Sequence, residues 1–182
     1  MNRPSYGFTL VELLVALLVA SVLLTVAVPL FSNMVDKMRV RTTLDTVVEA
    51  IRTARVTAVE QKIDMKICGL ANDGTCSGAA ADWDSGVVVA KIHEDLSEEV
   101  VYQVRFKEAV WVKVNGGVYN IYINKQGWSA GSADSILICK AVGENRFGYR
   151  VVINRAGRVR TEYSEDGTGW LNSSGGALDC GA

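Results

Sequence analysis

The chain has one histidine, His93, two prolines, and a formal net charge of -1 over 182 residues. A lone histidine among acidic neighbours offers no Ser or Cys triad, and no phosphate-cradling glycine loop accompanies it. No enzyme, cofactor or metal is therefore expected. With so little proline there is no stiff spacer, and no repeat or low-complexity tract divides the chain. The near-zero net charge argues against strong nonspecific binding to nucleic acid. Charge is also missing locally: from Leu13 to Val35 there is no Asp, Glu, Lys or Arg.

That uncharged run is what the sequence has in place of catalytic residues. A helix needs about 20 apolar residues to cross a hydrocarbon core of about 30 Å, so the segment is long enough to span. A secretory signal peptide would have a positive start, a short apolar core and a small-residue cleavage site after it. Here a polar leader, residues 1–7, ends in Gly7 before the apolar run begins, and a cut after Gly7 would leave the hydrophobic helix in the mature chain. The apolar stretch that starts at Phe8 holds one acid, Glu12, just ahead of the uncharged run. A carboxylate in lipid is costly unless it meets a cation; the alternative is an interfacial acid favoured by the helix dipole.

The residues Gly7-Phe8-Thr9-Leu10-Val11-Glu12-Leu13 resemble the class III leader of type IV pilins and type II secretion pseudopilins. The resemblance implies a prepilin peptidase that cuts after Gly7 and N-methylates Phe8. It also implies that Glu12 pairs with the amino terminus of a neighbouring subunit during assembly. The protein would sit in the inner membrane as a single pass with a periplasmic head, and afterwards in a pilus or pseudopilus beside other pilins. Charge does not give this orientation, because Arg3 precedes the span while Lys37, Arg39 and Arg41 follow it; the distribution alone would reverse it.

Beyond the span, Val40, Leu44, Val47, Ile51, Ala54 and Ala58 recur at spacings of four and three, one apolar stripe on a wet helix. Helix is thus expected from about Phe8 to about Lys62, on the order of 80 Å at 1.5 Å per residue, with a kink at Pro29. After Lys62 the pattern alternates and glycines become frequent. Residues 100–106, 111–114, 119–124, 136–139 and 149–154 read as short strands, and the apolar run 86–92 as a strand buried on both faces. The expected class is α+β and pilin-like: a cleaved leader 1–7, a membrane and assembly half of the helix 8–35, an amphipathic half 36–62, and a β-rich head 63–182 with one antiparallel sheet or two packed on the helix.

The four cysteines allow three connectivities; Cys68 with Cys76 and Cys139 with Cys180 is the favoured set. Their spacings do not form CxxC pairs and His93 is far from all of them, which argues against zinc. Trp83, Trp111, Trp128 and Trp170 read as core or interface aromatics.

A cysteine-bracketed loop, Trp83-Asp84-Ser85-Gly86-Val87-Val88-Val89, a further cysteine, Tyr149-Arg150-Val151-Val152-Ile153, Gly157-Arg158-Val159-Arg160 and a closing cysteine are together similar to the GspH/FimT family over nearly the whole chain. The resemblance implies a minor pilin of a type IV pilus or, alternatively, a GspH-type pseudopilin of a type II secretion system. The stretch 145–161 holds Arg146, Arg150, Arg155, Arg158 and Arg160 and no acid. A hairpin turned at Arg155-Ala156-Gly157 would put Arg158 and Arg160 on one face, about 7 Å apart, with Val159 turned inward. The GRxR pattern is similar to that of DNA-uptake pilins, which implies DNA as a partner, Arg158 and Arg160 as contacts, and Arg155, Arg150 and Arg146 as supports. The other reading pairs these arginines with Glu162, Glu165 or Asp166 on a solvated strand.

Overall fold

The computed structural model describes residues 9–106, 110–114, 120–130, 135–140, 147–165, 167–171, 177–178 and 180, with backbone alone at 26, 29, 30, 130, 170, 171, 177 and 178. Gly7, Phe8, Arg146 and Asp166 lie outside the described residues, as does the side chain of Trp170. One helix, α1, covers Leu10–Gln61, and the chain divides into two units, Met1–Lys37 and Met38–Ala182.

In the first unit the helical backbone continues through position 29 without a break. Its apolar side chains are exposed on every side, among them Leu10, Leu13, Leu14, Leu17, Leu18 and Leu24. Among the described residues no helix is long and apolar enough to cross a membrane; the side chains at 26, 29 and 30, inside the apolar run, are not among those described.

The second unit has its own core. All six residues of the helical stripe, from Val40 to Ala58, are buried to 1% exposure or less. The helix stops at Lys62, which takes a left-handed conformation (φ 57) while the Ile63 amide returns to the Ala58 carbonyl at 3.3 Å. Lysine is an uncommon residue for that conformation, which glycine usually supplies.

Among the described residues twelve strands follow: β1 (Asp64–Leu70), β2 (Cys76–Ser77), β3 (Gly86–Ile92), β4 (Glu98–Arg105), β5 (Val110–Val114), β6 (Asn120–Ile123), β7 (Ser129–Ala130), β8 (Ser135–Lys140), β9 (Gly148–Ile153), β10 (Val159–Ser164), β11 (Trp170–Leu171) and β12 (Ala177–Leu178). They form a first sheet in the order β4-β3-β1-β6-β7 with β2 on β1, a second in the order β10-β9-β8-β5, and a pair β11-β12. Every pairing is antiparallel.

The fold is the expected α+β class with both sheets on the helix: the stripe packs with Met65, Ile67, Val87 and Val89 of the first sheet and with Ile136, Ile138, Val151 and Ile153 of the second. Strand β3 is buried on both faces because Val88 packs away from the helix, with Cys68, Leu70 and Cys76. The half-buried Asp84 carboxylate accepts the Val112 amide at 2.6 Å, ending the second sheet at β5. Burial pushes that carboxyl above its ordinary range, and the hydrogen bond pulls it partly back.

Both disulfides, Cys68–Cys76 and Cys139–Cys180, are present, with Cα atoms 5.6 and 5.7 Å apart.

Among the described residues four turns share one design. At 71–75, 93–97, 124–128 and 154–158 the first amide donates to the fifth carbonyl and the fourth amide donates to the first carbonyl, at 2.7–3.1 Å. The fourth residue is left-handed in each: Gly74, Leu96, Gly127 and Gly157. In the last two turns the opening side chain, Asn124 or Asn154, also accepts the fifth amide at 2.9 Å.

These two turns stack. A Cβ on Gly157 would run into the Gly127 carbonyl oxygen, with Arg55 of the helix 3.2 Å away. That carbonyl accepts the Arg55 Nε at 3.3 Å, and the Ser129 amide donates to the Arg155 carbonyl at 3.0 Å. Helix and both sheets therefore meet at this corner. Gly157→Ala is expected to cost about 2–3 kcal/mol, from left-handed backbone strain and overpacking together. The measurement is the denaturant midpoint, and a loss below about 0.5 kcal/mol would mean that the turns can part freely.

Candidate functional site

Two regions concentrate polar function. The first is the start of α1. Thr9 and Glu12 form a reciprocal capping box: the Glu12 amide donates to Thr9 Oγ1 at 3.2 Å, while Glu12 Oε2 accepts the Thr9 amide at 3.2 Å and the Thr9 hydroxyl at 3.1 Å. A Thr and a Glu three residues apart satisfy two amides that the helix start leaves open. The separated chain thus has an employment for Glu12, one that the Thr9-Leu10-Val11-Glu12 spacing already signals. The carboxylate is exposed in a helix whose neighbouring side chains are apolar.

The second region is the β9-β10 hairpin. It turns at 155–157 as expected, with Val159 packed against the core and Glu162 opposite Arg150. The hairpin does not present its arginines as an equivalent set. Arg150 is largely buried, 3.4 Å from Glu162 Oε2, and its Nε has no hydrogen-bond partner among the described residues. Arg160 is 72% exposed, but its Nη2 lies 2.6 Å from Glu162 Oε1. One glutamate therefore holds two arginines: the ion-paired reading holds for both Arg150 and Arg160, and the solvated part of it for Arg160 alone. Arg155 and Arg158 are exposed on the turn and have no ion-pair partner among the described residues. Sequence order missed two neighbours of this turn: the exposed Lys125 and Trp128, brought beside it by the stacking of the two turns.

The hairpin also carries aromatics. Tyr149 and Tyr163 pair across the strands with ring centres 5.0 Å apart, and the Arg41 guanidinium lies 5.6 Å from the Tyr149 ring centre. Trp83 is fully buried, whereas Trp128 is 61% exposed, so core placement describes the former and not the latter.

The model of the prokaryotic N-terminal methylation motif matches residues 2–28. Two crystal structures of the type IV minor pilin FimU from Pseudomonas aeruginosa share the fold. One superposes with a TM-score of 0.57 at 17% identity, over 71% of this chain and 92% of that one. The other gives 0.54 at 18% identity, over 67% and 91%. The fold is that of a type IV pilin. No curated protein matches the chain by sequence. In this pilin-like chain the capped start of α1 lies within the methylation motif, while the arginine hairpin of β9 and β10 lies in the head, far downstream in the sequence.

Proposed function

We propose that this protein is a minor pilin of a type IV pilus, cut after Gly7 by prepilin peptidase, methylated on Phe8 and built into the filament through α1. The observation that carries this reading is the coincidence of the methylation motif at 2–28 with the pilin fold. The long run of exposed apolar side chains on the first unit supports it, since such a surface needs lipid or neighbouring helices around it. Before assembly the protein is an inner-membrane single pass with the head in the periplasm, where the two disulfides are stable. In the filament it lies near the tip, serving pilus biogenesis and twitching. The likeness to FimU supports a pilus over a type II secretion pseudopilus, which the same leader and fold would also serve. Mass spectrometry of the mature chain tests the core of the reading: an N-methylated Phe8 terminus, found in the sheared filament fraction, is the expected result. An intact leader, or a processed chain confined to the membrane, counts against it.

A second reading, DNA capture for uptake, is supported by the two arginines at the hairpin turn, Arg155 and Arg158, that have no ion-pair partner among the described residues. Phosphates attract guanidinium groups whose charge is not already compensated. Arg155 and Arg158 are the stronger contacts on that ground, Arg160 is shared with Glu162, and Arg150 serves the fold. Fluorescence anisotropy of labelled duplex with the full chain in detergent, across a salt series, measures it. Arg155→Ala and Arg158→Ala are each expected to lower the salt slope by about one unit, with Arg160→Ala doing less. Binding that ignores salt and all three changes rules out DNA capture at this hairpin.

A further inference from the structure

Of the four turns that share one design, three place glycine at the left-handed position and one places Leu96 there (φ 65). A leucine in that conformation is disfavoured, and glycine would hold the same turn at lower cost. Packing inside the head does not explain it, because Leu96 is 81% exposed. The turn is kept by its own hydrogen bonds: Asp95 Oδ1 accepts the Ser97 amide at 3.0 Å and the Ser97 hydroxyl at 2.6 Å. A strained backbone holding an apolar side chain out into water is the pattern of a contact residue.

The surroundings of Leu96 are charged in two opposite senses. Glu98 and Glu99 are engaged by Lys66 and Lys91, at 2.7 and 3.3 Å, which leaves Glu94 and Asp95 as the outward charge of the tip. Next to the tip an open depression of about 420 Å³ is lined by Glu94 and Leu96 of the tip, by Lys62 and Asp64 where the helix gives way to β1, and by Lys125, whose amide donates to Asp64 Oδ1 at 2.9 Å. Lys125 belongs to the 124–128 turn, which carries the exposed Trp128 and stacks on the turn with Arg155. One end of the head thus has an acidic tip with a projecting leucine and, across a depression, a basic corner with a projecting tryptophan.

We infer that this end of the head is a docking surface for a second copy of this chain, in a two-fold arrangement that sets the acidic tip of each against the basic turns of the other, with Leu96 against Trp128. In a two-fold contact residue i meets j and j meets i, so a surface whose two halves are oppositely charged complements itself. This goes beyond the minor-pilin reading and does not depend on it.

The test is sedimentation velocity of the full chain in a mild detergent, at low and high salt, without DNA. Wild type is expected to self-associate reversibly, more weakly at high salt. Leu96→Gly is expected to weaken association about tenfold or more while the thermal midpoint stays level or rises, since the strain is relieved. Glu94→Lys/Asp95→Lys and Lys125→Glu/Arg155→Glu are each expected to stay apart alone and to associate when mixed, because in the mixed pair both contacts join opposite charges, one as in wild type and one reversed. A wild-type chain that remains monomeric, a Leu96→Gly chain that associates as wild type does, or swapped variants that stay apart on mixing would each overturn the inference.

Discussion

Glu12→Ala is expected to remove the protein from the filament while leaving its head folded. In the separated chain Glu12 does no more than cap a helix with Thr9, and losing a cap costs about 1 kcal/mol. Assembly asks more of it. Within an apolar run the proposed partner is the methylated amino terminus of a neighbour, and a cation left in lipid without its counter-charge costs about 2.5–3.5 kcal/mol, a factor on the order of a hundred. The two roles separate by experiment. Thr9→Val breaks the capping box and keeps the carboxylate, so its effect on filament content should be small beside that of Glu12→Ala. Immunoblots of sheared filaments against the membrane fraction read both variants. If Thr9→Val and Glu12→Ala reduce incorporation equally, capping is the whole role of Glu12 and the pairing is wrong.

Removing the disulfide Cys139–Cys180 is expected to be the most damaging change within the head. The two residues are 41 apart in sequence, against 8 for Cys68–Cys76. In the chain-entropy model those separations are worth about 4 and about 2.6 kcal/mol. Packing widens the gap. Cys139 and Cys180 are buried with Leu137 and Trp111 on the face of the second sheet away from the helix, and the Cys180 sulfur is 2.6 Å from where a Cβ on Gly148 would stand. The bridge therefore fills the space above Gly148 as well as tying the tail, whose Cys180 amide also donates to the Gly167 carbonyl at 2.7 Å. Cys139→Ser/Cys180→Ser and Cys68→Ser/Cys76→Ser, unfolded by urea with the fluorescence of the buried Trp83 as signal, give the comparison. The first pair should lose more stability than the second by at least about 1 kcal/mol. The reverse order would show that the short Cys68–Cys76 loop, not the tail, governs the fold.

Much of the fold was legible because its signals are local. The stripe from Val40 to Ala58 needs only helical geometry, and all six of its residues are in the core. The strands at 86–92, 100–106, 111–114, 136–139 and 149–154 were found within about two residues of their observed bounds, since alternation and turn residues mark them without reference to partners. Strand β1 was missed, although it joins β3 to β6 at the centre of the first sheet. It follows the helix with no Gly or Pro between them, the reversal being made by Lys62 in a left-handed conformation, so no local breaker marked the change of period. The arginines and Glu162 as a partner for them were legible, but not the division among them: spacing does not say that one glutamate is shared between Arg150 and Arg160 and that Arg155 and Arg158 stay outside it.

The sequence by itself determined the processing motif, the apolar half of α1, the buried stripe of its second half and the hairpin at 155–157. Each follows from contacts between residues a few positions apart, where backbone geometry leaves few alternatives. The tertiary structure alone decided which cysteines pair, that the turns at 124–128 and 154–158 stack on Arg55, that Trp128 and Lys125 join the arginines, and that Leu96 stands out from an acidic tip. These depend on strands from distant parts of the chain meeting in two sheets against one helix, and sequence separation sets no geometry until the core has closed.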